Sequence, residues 1–439
     1  MKKVDVAIVG GGPGGLAAAH GILRAKPSAK VAVLERRSEL TPMGAGIVLL
    51  SNGMRALSAI CPGAAKRLLD LNETRNSTAT TYINSATKTE KLVKGNPSWD
   101  DKERRYGLRP ASAAWYQLQH ILADELQPGV LKLGSRVTSI ECDEDDASGV
   151  QISIDGSSDD VDVLKAGFVI GADGFFSRVR AKVVGDGNPT YQGSRLWRAL
   201  VPRASKEEFQ SLVYSGENYT FLYYAADSST ACWVLAKTMP EPEKTDKTSM
   251  QARNQEENGE EIIREVLDNI EDSNEEIINI VKATDPASVT THGVYVRDPF
   301  ANEGRDLWKP ATGPYTLIGD AAHPMRPVGN GTAMAMEDAA ELACCVQSFG
   351  LSEEAFREYE LRRIPRSQFV AQKSQITAMA SYKKMSEEAS KLQLMKMPNH
   401  LRVANFSEDM DYEDWLHDIA FPELSSEVPA FHVTGKVEA

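Results

Sequence analysis

The sequence predicts an α/β fold, with a strand–helix–strand unit at the N-terminus, a β-rich middle and a helical C-terminal end. Three observations carry that reading. Residues 4–9 form a continuous apolar, β-branched run of the kind buried in parallel sheets, and residues 16–25 are rich in the helix formers Ala and Leu. Residues 31–34 are β-branched again, which closes a βαβ unit whose crossover is right-handed. Short β-branched and aromatic segments recur at 150–154, 168–170, 196–202, 219–224 and 232–236.

The later elements follow in order. A polar stretch at 240–261 reads as a surface excursion. Ile263, Val266, Leu267 and Ile270 share one helical face, and Ile277, Ile278 and Val281 share another. Residues 316–318 form a strand, followed by a glycine-containing loop and an Ala/Met/Glu-rich helix at 332–346. Beyond Ser352 the chain reads as helical, with breaks at Pro365 and near Pro398. Residues 407–439 read as an acidic, loosely held tail.

Composition excludes several classes. At about 100–200 residues per domain, 439 residues suggest two or three domains, or one fold with a large insertion. Lys and Arg number 49 against 62 Asp and Glu, a net charge of −13. That balance repels phosphate backbones and anionic membrane surfaces, so neither nucleic acid nor membrane is expected as partner. No apolar run reaches the roughly 18–20 residues that span a bilayer. Asp5 and a glycine cluster cut the N-terminal apolar run too short for a secretory signal. Five cysteines without C-x-x-C spacing make neither a disulfide framework nor a metal site, and the seven histidines include no H-E-x-x-H. A G-x-S-x-G elbow and a G-x-x-x-x-G-K-[ST] loop are both absent. The expectation is a cytoplasmic enzyme, monomer or homodimer, whose hard chemistry comes from a cofactor.

Gly10-Gly11-Gly12-Pro13-Gly14-Gly15 contains G-x-G-x-x-G at Gly10, Gly12 and Gly15, directly after a strand and opening a helix. In that context Gly10 permits the tight turn, Gly12 lets the backbone approach a pyrophosphate, and Gly15 lets the helix pack on the strand. The helix N-terminus holds the pyrophosphate through its N–H groups. Glu35 ends the second strand about 20 residues on, where a carboxylate accepts hydrogen bonds from a ribose diol and repels a 2′-phosphate. The loop therefore favours FAD or NAD over NADP and does not separate the first two. A glycine-rich turn with a surface Glu is the plainer alternative.

Two later segments do separate them. Gly171-Ala172-Asp173-Gly174-Phe175-Phe176-Ser177-Arg178-Val179-Arg180 follows the strand at 168–170, and Gly319-Asp320-Ala321-Ala322-His323-Pro324 follows the strand at 316–318. With the glycine loop, these motifs make the sequence resemble the class A flavoprotein monooxygenases, the group of salicylate hydroxylase, 4-hydroxybenzoate hydroxylase, kynurenine monooxygenase and zeaxanthin epoxidase. The resemblance extends to about Arg366. It implies a Rossmann-like FAD-binding domain in pieces near 1–70, 106–180 and 285–350. Interleaved with it is an α+β substrate domain on a mixed β-sheet, at 71–105 and 181–284. A C-terminal helical region and tail occupy 351–439.

The resemblance also implies roles. Gly10, Gly12 and Gly15 contact the FAD pyrophosphate, Glu35, followed by Arg36, the adenosine ribose, and the backbone of Val137 the adenine. Asp320 falls where a carboxylate accepts from the flavin ribityl chain; helix capping is its plainer role. Asp173 and Gly174 match a motif that bridges FAD and NAD(P)H contacts. Ser177 either caps the short helix of Val179 and Arg180 or contacts the cofactor. Gly329, Asn330 and Gly331 bring a helix N-terminus to the flavin pyrimidine edge, where it stabilises negative charge. Their loop is one residue shorter than the family's. Gly46, in Gly44-Ala45-Gly46-Ile47, matches a loop near the flavin. Arg109 matches an Arg that positions the flavin ahead of the helix through Leu118, Ile121 and Leu122; an ungapped alignment puts Trp115 there.

The implied reaction is reduction of FAD by NADH or NADPH, addition of O₂ at flavin C4a, and delivery of one oxygen atom from the hydroperoxide. The acceptor is an electron-rich aromatic, phenolic or alkene molecule, in a site closed to water. The substrate pocket is expected between the FAD domain and the mid-chain sheet. Tyr219, Phe221 and Tyr223 point to one side of their strand and Thr220, Leu222 and Tyr224 to the other. The Tyr224 side is placed toward the cavity. Arg109 and Tyr224 are the catalytic candidates, and Trp197, Arg198 and Trp233 further wall residues, with core packing the alternative for each aromatic. His292 and Arg297 are candidate proton handlers. Competing functions are a halogenase or prenyl-chain reductase on the same fold, and a non-catalytic flavin-binding regulator. The Trp-x-Trp-x-Ile-Pro signature of the halogenases is absent.

Overall fold

A computed structural model describes residues 2–42, 44–72, 79–85, 87–93, 97–142, 149–155, 161–203, 211–241, 259–297, 313–383, 412–417, 419–421 and 424. The chain runs β1 (Lys2–Val9), α1 (Pro13–Ala25), β2 (Val31–Leu34), β3 (Gly46–Leu49), α2 (Ser51–Ile60), α3 (Pro62–Asp70), β4 (Thr80–Asn84), β5 (Thr89–Val93) and α4 (Pro97–Tyr106). It continues as β6 (Ala111–Ala114), α5 (Trp115–Asp124), β7 (Leu131–Lys132), β8 (Arg136–Cys142), β9 (Val150–Asp155), β10 (Val161–Gly171), α6 (Arg178–Val183), β11 (Thr190–Pro202), β12 (Ser211–Ser215), β13 (Tyr219–Ala225) and β14 (Thr230–Thr238). Then come α7 (Gly259–Asn269), α8 (Glu275–Lys282), β15 (Thr290–Val296), β16 (Tyr315–Leu317), α9 (Gly331–Phe349), α10 (Glu353–Lys383) and α11 (Tyr412–His417).

The first sheet has the order β7-β2-β1-β10-β9-β8, with β16 also on β10. β1, β2, β7, β10 and β16 are parallel, whereas β9 runs against β10. Register decides where the site forms. Val9 pairs with both Leu34 and Gly171, and Gly171 pairs with Leu317. Four strands thus end at one level, and the glycine loop, Glu35, Ala172–Asp173 and Gly319–Asp320 leave from one carboxyl edge, where open α/β sheets bind ligands. Behind that edge α1 crosses α9 so closely that a Cβ on Gly21 would sit 2.7 Å from the Ala339 carbonyl oxygen.

The second sheet has the order β15-β11-β14-β13-β12-β4-β5. Ile262 and Val266 of α7, Ile270 just after it, and Ile277 and Val281 of α8 cover one face, packing on Trp197, Phe221 and Trp233. The opposite face carries Arg198, Tyr224 and Cys232. β15 hydrogen-bonds to β11, so this sheet reaches residues 290–296, inside the 285–350 stretch expected with the FAD domain. β3 and β6 form a small separate ribbon.

Two C-terminal expectations are corrected. Pro365 does not break the helix: α10 runs through it from Glu353 to Lys383. Proline removes one backbone donor, but Arg363 and Arg366 on either side are tied to Glu337 and Asp338 of α9, which holds the helix in line. The tail is not loose where it is described. Leu416 packs on Met325 and Met334, Phe421 and Leu424 enter the main core, and Arg24 and Arg55 donate to the carbonyls of Leu424 and Ile419 at 3.1 and 2.7 Å. Three apolar anchors outweigh the acidic composition between them. Pro398 and most of the 240–261 excursion lie outside the described residues.

Candidate active site

The glycine loop is shaped by backbone crowding. Gly10 has φ +110°, and a Cβ there would sit 2.3 Å from the Ala172 carbonyl oxygen. A Cβ on Gly15 would sit 2.0 Å from the Gly10 carbonyl oxygen, so helix and strand could not meet. Glu35 is buried at the strand end, where one carboxylate oxygen accepts from Gly11 N at 2.8 Å and the other from Arg37 N at 3.0 Å. Gln119 Nε2 fixes the loop from below by donating to the Gly11 carbonyl at 2.7 Å. Gly12 begins α1 without a side-chain cap, so the first-turn amides point out of the sheet edge. Arg36 follows Glu35; burial pushes its guanidinium down in pKa, and Glu35 opposes this. Val137 is buried in β8 just before a register shift, and Arg178 Nη1 donates to the Thr138 carbonyl at 3.4 Å.

The other two motifs lock onto each other. Asp173 accepts from Ser177 Oγ at 2.5 Å and from Arg178 N at 2.7 Å, and Ser177 Oγ accepts Arg180 N at 2.9 Å. Ser177 therefore caps α6. Arg180, fully buried, pairs with Asp186 at 2.7 Å and donates to the carbonyls of Ala321, at 3.1 Å, and Ala322. That pins the turn bearing Asp320. No described residue hydrogen-bonds the Asp320 carboxyl, whose Oδ1 lies 4.0 Å from where a Gly331 Cβ would be. Burial raises its pKa to about 6, against the pull of His323 and Arg198. Gly329 has φ +99°, and Asn330 starts α9 with no side-chain cap. An unpartnered carboxyl group beside an open helix N-terminus fits a polyol chain and an acceptor-rich ring edge. With the glycine loop and Glu35, the residues present fit FAD.

The second sheet faces this edge. Tyr224 Oη donates to the Gly46 carbonyl at 2.7 Å, and a Cβ on Gly46 would lie 2.8 Å from the Tyr224 ring. Gly46 thus carries the β13 side chain against β3. Burial, then Cys232, pushes the Tyr224 hydroxyl well up, so it stays a neutral donor rather than a base. Burial lowers the Arg198 guanidinium, while Cys232, Tyr224 and Asp320 offset this. Its Nε reaches Thr290 Oγ1 at 3.4 Å. His292 shares that face of β15, with Nδ1 2.9 Å from its neighbour's carbonyl, that of Gly293.

Several expectations change. Trp197 and Trp233 are fully buried on the opposite face, with Nε1 donating to Glu265 at 3.1 Å and to Thr284 at 2.9 Å. They are core, not wall, because neighbours on a strand point to opposite sides. Arg297 pairs with Asp186 at 2.9 Å and is committed to structure. Arg109 Nη2 donates to the Asn72 carbonyl at 2.9 Å. Trp115 lies against the glycine loop, its Cζ2 3.6 Å from a Cβ built on Gly12 and its Cβ 3.1 Å from one on Gly44. Cys232 carries no sequence signal beyond alternation with Trp233. The buried Asp338–His323 contact, at 2.6 Å, joins residues 15 positions apart and has no local sequence signal.

The FAD binding domain family matches residues 3–374. The 3-amino-4-hydroxybenzoate 2-monooxygenase of Streptomyces cremeus is 30% identical over 379 residues, covering 83% of this chain and 84% of that one. The chain belongs to the class A flavoprotein monooxygenases. The 6-hydroxynicotinate 3-monooxygenase of Pseudomonas fluorescens is 28% identical over 373 residues, 82% of this chain and 88% of that one. A crystal structure of Klebsiella pneumoniae HpxO with FAD and uric acid shares the fold, with TM-score 0.69 at 21% identity over 90% of this chain and 94% of that one. The chain is thus an FAD-dependent monooxygenase. Among the described residues, no helix is long and apolar enough to cross a membrane, and no His, Cys, Asp and Glu group could hold a metal ion.

Proposed function

We propose that the chain takes electrons from NADH or NADPH and places one oxygen atom of O₂ on an electron-rich, anionic aromatic molecule bound between Arg198 and the flavin edge. The observation that carries this is geometric: Arg198 and Tyr224 lie on the sheet face that Tyr224 ties to Gly46, and the Asp320 carboxyl lies beside Gly331 at the α9 N-terminus. Bound FAD supplies the redox chemistry and the activation of oxygen. The protein supplies the rest. Gly10, Gly12 and Gly15 with α1 hold the pyrophosphate, and Glu35 the ribose. Asp320 accepts from the ribityl hydroxyls, and the open amides of Gly331 onward favour negative charge at the ring. Arg198 draws a carboxylate or phenolate to the ring, since an arginine at a partly dry site binds such groups bidentately. Tyr224 donates to Gly46 and holds the sheet at a fixed distance from β3. Leu196, Val294 and Val296 form an apolar patch on the same face as Arg198, which helps keep water out.

Relatives named for hydroxylated or aminated benzoates and nicotinates support an aromatic, anionic substrate. The test is NADH and NADPH consumption against a library of phenolic, benzoate and polyene compounds, with product mass read for a gain of one oxygen. Substrate-stimulated consumption with that gain is the expected result. A yellow protein that consumes neither donor with any of them would sink the reading.

A further inference from the structure

Resting on the assignment of Asp320 to the ribityl chain, we infer that Asp338 is a positioning residue of the flavin site, holding Asp320 in place through Gly319 and His323. Asp338 sits two turns into α9, fully buried. Its Oδ2 accepts from Gly319 N at 2.8 Å and lies 2.6 Å from His323 Nε2. Its Oδ1 accepts from Arg363 Nε at 2.8 Å. One carboxylate thus grips both ends of the Gly319–His323 turn, with Asp320 between them. Gly319 itself has φ +57°, a left-handed conformation that the Asp338 contact stabilises. Arg180 grips the same turn from the opposite side through the carbonyls of Ala321 and Ala322.

The grip has a geometric purpose. α9 carries Gly331, beside Asp320, at its N-terminus and Asp338 further along the same rigid rod. The helix end that meets the flavin ring and the carboxyl group that meets its side chain are therefore set in one frame. Asp320 owes its freedom to this arrangement: the backbone on both sides is bonded, while its own carboxyl is left for a ligand. The charge of Asp338 also acts on Asp320. The groups facing Asp320 are His323 and Arg198, which lower its pKa, and Asp338, which raises it.

Two effects follow from replacing Asp338 by Asn. The turn loses part of its grip, so FAD dissociates more easily. Asp320 loses a neighbouring negative charge, so it ionises at lower pH. The experiment titrates FAD into apo-protein by flavin fluorescence quenching from pH 4.5 to 8, for wild type, Asp320→Asn, Asp338→Asn and His323→Gln. In the wild type, affinity should fall as pH drops through the Asp320 transition near 6. Asp338→Asn should weaken FAD at least tenfold and move that transition to lower pH. His323→Gln should also weaken FAD several-fold and move the transition up, and it decides the matter if Asp338→Asn does not fold. A purely structural role would weaken binding without moving the transition, and that result, or unchanged FAD affinity in both variants while Asp320→Asn weakens it, would overturn the inference. Unchanged FAD affinity in Asp320→Asn would instead remove the reading of Asp320 on which it rests.

Discussion

Arg198 and Trp197 are adjacent in sequence and do opposite things. The Trp197 ring is fully buried under α7 and α8, while Arg198 lies on the opposite face, its Nε reaching Thr290 Oγ1. Arg198→Gln should raise KM for anionic aromatic substrates about 10- to 100-fold, the loss of one charge-assisted hydrogen bond or two, while FAD stays bound; steady-state kinetics beside a flavin-content measurement checks this. Trp233→Ala should cost about 3–5 kcal/mol of stability through a core cavity, read by urea unfolding. Glu35→Ala should release FAD more easily, because two backbone amides that shape the loop lose their acceptor. Gel filtration followed by flavin absorbance reads the loss. The turn at Gly10, the helix start at Gly12 and the strand end before Glu35 were legible from sequence because they are local events with fixed spacing. Which face of the second sheet the helices cover was not. Alternation gave two faces for each strand, and which face is left uncovered depends on where α7 and α8 pack, tens of residues away.

Among the elements, α9 and α10 are joined by a buried ionic lattice. Glu337 accepts from Arg363 at 2.5 Å, Arg366 at 2.6 and 2.8 Å, and Asn52 at 2.7 Å, while Asp338 accepts from Arg363. Removing one partner of such a set leaves buried charge uncompensated. Arg363→Met should therefore destabilise the protein by about 3–5 kcal/mol, measured by urea unfolding. The lattice also explains why Pro365 misled: the helix rule is local, and the arginines that override it find their partners only in the folded structure. The tail misled for the same reason. Its acidic residues suggested solvent, whereas Leu416, Phe421 and Leu424 find apolar seats made by distant segments. The FAD binding domain match ends at residue 374, before this tail begins.

For the whole molecule, the buried carboxylates set the response to acid. Burial would raise Glu337 and Asp338, but arginines and His323 overcome it and hold both at about 2. Their stabilisation is fully present above the unfolded carboxylate range near 4 and is lost as pH falls toward 2. Asp320, raised to about 6, acts in the opposite sense, lowering apo-protein stability as pH rises from about 4 to 6. Urea midpoints of apo-protein should therefore drop steeply below pH 4, and FAD should stabilise most above pH 6.

The contact between Arg24 and the Leu424 carbonyl spans 400 positions of the chain. At roughly 5–20 residues per second of synthesis, the first helix emerges from the ribosome about 20–80 seconds before its last partner exists. β10 must likewise wait for β16 before the first sheet is complete. The nascent N-terminal half therefore spends that interval with open strand edges and an apolar helix face uncovered. A chain truncated before residue 412 should therefore give less soluble yellow protein than the full chain, as read by flavin absorbance after gel filtration.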